Sequence, residues 1–439
     1  MKRLMTTMLA VAALAVPSAL QAQRVMTLRE CIDYAVSHNI QIKQQDNARR
    51  QQELALNSAK NERLPQLSAS ASQSFNFGRG LTVNNTYASR NTMSTSFGAD
   101  ASLPLFTGFR IPNQTEQARL NLEAAKADLD KAREDLGISV TQAYLQVLYQ
   151  KDLWKVSLQQ IELSRKQLSR MEALLANQKA SAAEVSQARS TVAQDELAAV
   201  QAENSYKLAL LDLSQLLELP SPDSIQTADP SHAAPEAISG SPEEAYQLAL
   251  TGRPAITAGQ MRIDAAEKAI KVARAGYWPT LSLGAGIGTS YYKTSGVDNS
   301  AFTRQMKDNF TKYIGLNLAI PIFDRHSTRN SIRQAKLEYE NRQLELDNTK
   351  KTLYKEIQTA WYNARAAEQK YRSSLAAENA ADDAFALMEK KYENGKANAT
   401  EYDEARTNRL KANYDRIAAL YEYQFRSKIL DFYKGKTLE

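Results

Sequence analysis

The residues best placed to do chemistry are acidic side chains beside two helix breaks. Ser181-Ala182-Ala183-Glu184 and Asn398-Ala399-Thr400-Glu401 each set a capping residue three positions ahead of a glutamate, the spacing of a capping box. Glu404 follows one helical turn after Glu401. Read from spacing alone, this chemistry is structural: Glu401 closes a helix N-terminus and Glu404 lies on a solvated face. No catalytic constellation accompanies them. The sequence shows no activated Ser or Cys and no phosphate loop, and His38, His232 and His326 are scattered without metal-ligand spacing. Cys31 is the single cysteine and shares a helical face with Leu28, Ile32 and Ala35, so it reads as core. Neither a cofactor, a metal nor an enzymatic activity is expected.

The elements that must position those turns are unusually long helices. Between Pro112 and Pro220 there is no proline and one glycine, Gly137. Asn113 to Asn177 alone makes a rod of roughly 100 Å at 1.5 Å per residue, far beyond ordinary globular helices. His326 to Asn394 contains neither Gly nor Pro, and nor does the return from Lys396 to Lys434. Leu129, Ala132, Leu136, Val140, Ala143 and Val147 form a narrow stripe whose steps average 3.6 residues, that of a nearly straight helix. Asn394-Gly395 is a helix stop, and Asn177-Gln178-Lys179-Ala180 stands in its place in the first rod. Both breaks are expected at the far end of the rods from the strands.

The chain is written twice. Leu64-Pro65-Gln66-Leu67-Ser68 recurs as Trp278-Pro279-Thr280-Leu281-Ser282, an offset of 214 residues. Leu103-Pro104-Leu105-Phe106 recurs as Ile320-Pro321-Ile322-Phe323, an offset of 217 that then holds through Ala188-Arg189 and Ala405-Arg406. Each copy predicts a short capped helix at Thr27 or Ser241, a second helix (about 40–61 and 255–275), two strands flanking a polar loop, a very long helix, a break and a return. The strands, about 66–77, 94–106, 280–292 and 310–323, alternate apolar residues with Ser, Gly and Asn, and are long enough to span a bilayer when tilted. Tyr291, Tyr292 and Phe310 fall near the loop ends, where an aromatic girdle lies. A soluble half-buried sheet gives the same alternation. If the strands span, four cannot close a barrel, so the chain must oligomerise; two chains give a packed interior, three give twelve strands and a duct.

Residues 1–22 read as a signal peptide: Met1-Lys2-Arg3, an apolar run from Leu4 to Val16, then a mostly small and polar stretch up to Ala22, with Leu20 larger than usual at the third position before the cut. The formal net charge of +6, two units of it in that leader, is mild and does not point to nucleic acid. The expected organisation is a first repeat over 23–219 with its tip at about 177–184, a proline-rich linker over 220–242, and a second repeat over 243–439 with its tip at about 394–401.

With its repeat, its Leu-Pro-Leu-Phe and Ile-Pro-Ile-Phe strand ends and its Tyr-Glu-Asn-Gly-Lys-Ala turn at 392–397, the mature chain resembles the TolC family of outer-membrane efflux proteins. The resemblance implies an α+β membrane protein: a homotrimer with a 12-stranded β-barrel, four strands per chain, continuous with a long antiparallel α-helical coiled-coil tunnel in the periplasm. It implies an exit duct in the outer-membrane lipid that docks a periplasmic adaptor (membrane fusion protein) and, through it, an inner-membrane RND, ABC or MFS pump. Matching the turns places Glu401 and Glu404, with Glu184 of the first repeat, at the family's pore-narrowing acidic positions. In some relatives a tyrosine and an arginine of the second repeat bond an aspartate of the first and hold the tip shut; Tyr392 and Glu184 take the places of the tyrosine and the aspartate, while the arginine position is Ala397, with Lys396 beside it, a departure from their pattern. The turns Lys179-Ala180-Ser181 and Gly395-Lys396-Ala397-Asn398 are the implied adaptor contacts. Two rivals stand beside this reading: a periplasmic coiled-coil structural or adaptor protein without membrane strands, and a secreted enzyme.

Overall fold

The computed structural model describes residues 24–81, 85–89, 91–228 and 234–438. The expected leader over 1–22, His232 and part of the 220–242 linker lie outside the described residues. In chain order the elements are β1 (Arg24–Met26), α1 (Leu28–His38), α2 (Ile40–Asn61), β2 (Gln66–Asn76), β3 (Arg79–Leu81), β4 (Tyr87–Ser89), β5 (Thr92–Thr107), α3 (Arg110–Ala176) and α4 (Ala182–Leu216). There follow β6 (Ile225–Thr227), α5 (Pro242–Gly252), α6 (Pro254–Arg274), β7 (Thr280–Thr294), α7 (Phe302–Asp308), β8 (Thr311–Ala319), α8 (Ser327–Glu393) and α9 (Ala399–Tyr433). The duplication is visible in the helix lengths: α3 and α8 each have 67 residues, α4 and α9 each have 35.

The chain forms two compact units. The first comprises described residues of 24–45, 130–253 and 351–438. Here α1 and α5 open on the capping boxes Thr27–Glu30 and Ser241–Glu244, the second with Pro242 in its first turn, where a missing N–H costs nothing. Short β1 pairs in parallel with β6. The core is built from the expected stripe, with Leu136, Val140 and Val147 of α3 buried, joined by Leu213, Leu217, Ile357, Leu420 and Leu430. Cys31 is fully buried, and burial pushes its thiol up to about 12, so it is inert packing.

The second unit, 46–129 and 254–350, carries an antiparallel sheet in the order β2-β5-β7-β8. β2 and β5 pair in register from Gln66↔Ser102 to Asn76↔Thr92. β5 and β7 pair from Thr92↔Thr294 to Thr107↔Thr280, with an irregularity between Pro104 and Phe106, where proline offers no N–H to the ladder. β8 ends at Ala319, which pairs with Thr280. The Ile320–Phe323 run is therefore not strand, contrary to the expected 310–323 segment. Beyond Thr280 its partner strand has ended at Pro279, and Pro321 has no donor of its own. The loops hold more order than expected, with the β3–β4 ribbon in one and α7 in the other.

The sheet decides between the two readings of its alternation. A soluble sheet covers its apolar face. Here that face is bare: Leu67 is 78% exposed, Ile314 77%, Leu316 67% and Leu318 59%. A continuous apolar surface of this kind demands lipid or a partner. β2 and β8 are both open edges, which lipid cannot satisfy. The opposite face is polar, with Ser72–Ser96 and Ser74–Ser94 hydroxyl pairs at 2.7 Å. On it Tyr313 reaches across β7 to donate a 2.8 Å hydrogen bond to Asp100. Gly286, paired with both residues, leaves the space: a Cβ there would stand 2.5 Å from the Tyr313 ring.

Candidate functional site

The two turns are built alike. In the first, Gln178 takes φ 56°, its N–H donates to the Leu175 carbonyl (2.9 Å), and the Lys179 N–H donates to that of Leu174 (2.8 Å). In the second, Gly395 takes φ 68°, with its N–H to Tyr392 (3.1 Å) and that of Lys396 to Lys391 (2.8 Å). These are paired Schellman stops, and each runs straight into a capping box. The Ser181 N–H donates to Glu184 Oε2 at 2.6 Å, and the Glu184 N–H returns to Ser181 Oγ at 3.2 Å. The Asn398 N–H donates to Glu401 Oε2 and the Glu401 N–H to Asn398 Oδ1, both at 2.9 Å. Glu184 and Glu401 therefore have structural work, and the Ser181 hydrogen bonds hold the Glu184 carboxyl below its ordinary value. Glu404, one turn further along α9, is exposed. So are Lys179, Ser181, Gly395, Lys396 and Asn398, with Ala180 and Ala397 half-buried.

Tyr392 has a different partner from the one implied by the resemblance. Its hydroxyl accepts from Gln167 Nε2 at 3.0 Å rather than donating to Glu184. Its ring stacks on Tyr402 with centroids 4.7 Å apart. Burial pushes the Tyr392 phenol up. A cation is nevertheless present where Ala397 provides none: the Arg170 guanidinium lies 5.3 Å from the Tyr392 ring centre and donates to the Glu393 carbonyl at 3.4 Å. It comes from α3, not from the turn.

A second link joins the two helical hairpins. Arg406 of α9 pairs with Asp195 of α4 at 3.2 Å, the side chains only 13% and 14% exposed. Asp403 waits 3.7 Å from the same guanidinium. Glu184, Tyr392, Tyr402 and Arg406 line a cavity of about 70 Å³, room for a few water molecules. Further from the turns, buried Tyr421 donates to Asp152 at 2.6 Å. Gln167, Arg170, Asp195 and Arg406 were not among the expected site residues. Each pairing depends on how two distant helices are rotated against one another, which no local motif records.

Known proteins fit this geometry. The family model described as outer membrane efflux protein matches residues 31–218 and 245–435, both copies of the repeat. The chain belongs to the outer membrane efflux protein family. Among its curated relatives is the outer membrane efflux protein BepC of Brucella suis biovar 1, 26% identical over 319 residues covering 73% of this chain and 64% of BepC. The chain spans less than two thirds of the length of the curated relatives it matches. Among solved structures, the outer membrane protein VceC of Vibrio cholerae superimposes with a TM-score of 0.74 at 18% identity, over 94% of this chain and 97% of VceC. The CmeC outer membrane channel of Campylobacter jejuni gives 0.74 at 20% identity, over 94% and 86%. The fold of this outer membrane efflux protein is thus TolC-like, a tandem-repeat helical tunnel element with its strands, and its place is the outer membrane.

Proposed function

We propose that three copies of this chain form an exit duct through the outer membrane, passing substrates outward when docked to a periplasmic adaptor and an inner-membrane pump. The observation that carries this reading is the bare apolar face of a sheet whose two edges, β2 and β8, are both unpaired. Setting β8 of one protomer beside β2 of the next satisfies both edges, and three chains make a twelve-stranded ring wide enough for a lumen. The helices add a second surface: Leu197, Val200, Leu208 and Leu211 of α4 are 47–63% exposed. They repeat at eleven residues, which keeps them on one face for a neighbouring helix. A coiled-coil protein without membrane strands leaves the bare sheet face without purpose.

In this reading the two turns face the adaptor, with Lys179, Ala180, Ser181, Gly395, Lys396, Ala397 and Asn398 as contacts, and Glu404 and Glu401 ring the entrance. Negative carboxylates around an axis concentrate cations and resist closure. Substitution separates charge from structure, because glutamine also serves in a capping box. Single-channel recording of Glu401→Gln/Glu404→Gln should show reduced cation selectivity and altered conductance. Channels with unchanged selectivity and conductance would remove the carboxylates from the gate.

A further inference from the structure

The four long strands carry only three charged residues: Asp100, Lys293 and Lys312. Asp100 lies on the polar face, latched by Tyr313. The two lysines fall on the apolar face instead. Lys312 pairs with Ile287 and precedes Ile314 and Leu316 on that face, while Lys293 pairs with Met93. Both are exposed. A lysine facing hydrocarbon is costly unless its ammonium snorkels to a polar layer. Both sit toward the loop end of the sheet, and the rest of the apolar face towards the helices has no charge.

Among the described residues nothing neutralises them: no ion pair engages either lysine. The loop carboxylate Asp308 is taken by Arg304 at 3.6 Å. Closing the ring supplies no partner either, because β2, the strand that would flank β8 of a neighbouring protomer, has no charged residue. What accompanies the lysines is aromatic. The Lys312 ammonium lies 5.5 Å from the Phe310 ring centre, and Tyr291 packs on Phe302 at 5.0 Å. The ring beside Lys312 is of the kind that marks a membrane–water boundary.

We propose that Lys312 and Lys293 form a binding surface for a phosphate-bearing glycolipid of the outer leaflet, an inference that rests on the duct reading. β8, nine residues long, matches one bilayer crossing, so Lys312 near its outer end meets phosphate at the bilayer surface. Lys293 lies six residues further along β7 than Ile287, about 20 Å along the strand. Two cations at two depths suit a head group with phosphate both at the surface and on sugars further out. A phospholipid has phosphate at one depth only.

The test is native mass spectrometry of the full-length protein in detergent with lipid A and with lipopolysaccharide carrying its phosphorylated core. Channel conductance of the same preparation is recorded in parallel. Lys312→Gln should bind lipid A about fivefold more weakly, the loss of one lysine near an anionic surface. Lys293→Gln should keep lipid A binding and lose about fivefold for the long head group. Equal binding by the Lys293→Gln/Lys312→Gln double variant and the wild type, or equal binding of dephosphorylated lipid A, overturns the assignment while intact conductance leaves the duct standing. A wild-type preparation with neither trimer nor conductance overturns the duct reading and the glycolipid surface with it.

Discussion

Cutting the Arg406–Asp195 link should loosen the helical turns unequally from its two sides. At 3.2 Å, an effective dielectric of 20 gives a gross attraction of about 5 kcal/mol, most of it offset by desolvation. Fully exposed pairs are worth about 0.2–1 kcal/mol, and breaking a buried one from one side costs about 3–5 kcal/mol. With side chains 13% and 14% exposed, the net cost falls between these limits. Arg406→Met leaves Asp195 without a cation in a mostly buried position, at a cost of about 2 kcal/mol. Asp195→Asn costs about 1 kcal/mol, because Asp403 is already 3.7 Å from Arg406 and can take over. Global unfolding of a large membrane protein is not two-state, so the assay is native-state hydrogen exchange over residues 185–196 and 399–410, which reports local opening free energies. A double-mutant cycle with both changes should return about 1–2 kcal/mol of coupling. Coupling below about 0.3 kcal/mol, or a larger cost for Asp195→Asn than for Arg406→Met, refutes the reasoning.

Two further outcomes follow from the same contacts. Gly286→Ala places a Cβ 2.5 Å from the Tyr313 ring and 2.6 Å from Asp100 Oδ1. It should lower the temperature at which the oligomer dissociates on electrophoresis, whereas Gly284→Ala, whose Cβ meets nothing nearer than 3.9 Å, should not; equal behaviour would show that the latch is idle. Because the Glu184 carboxyl is held below its ordinary value, its contribution is present above the unfolded pKa and is lost as pH falls through the folded one. Protection of the Ser181 amide should drop in acid, and Glu184→Gln should abolish that pH dependence; a wild-type protection factor flat through the acid range contradicts it.

Much of the fold was legible because it is written in local patterns. Capping boxes at Thr27, Ser181, Ser241 and Asn398 are short-range hydrogen-bond geometries, and strand alternation is a period-two signal. The repeat supplied the rest, since an Asn-Gly stop at 394–395 locates its counterpart at 177–178 even though Gln178 is a poor αL residue. What stayed hidden is tertiary. Tyr392 meets Gln167 and Arg170 rather than Glu184 because the rotation of α8 against α3 chooses among several polar neighbours. Tyr421–Asp152 joins residues 269 positions apart, and neither sequence neighbourhood announces the other. The end of β8 differs from the expected 310–323 segment for a related reason: strand length depends on the partner, and β7 has no residue left to pair beyond Thr280.

In the proposed duct the bare face of the β2-β5-β7-β8 sheet meets lipid in a ring of three chains. The most direct measurement is the mass of the protein extracted from separated outer membranes, taken in mild detergent with the bound detergent subtracted. A trimer recovered only after detergent extraction is the predicted result. A monomer, or full recovery in the soluble periplasmic fraction without detergent, would contradict it.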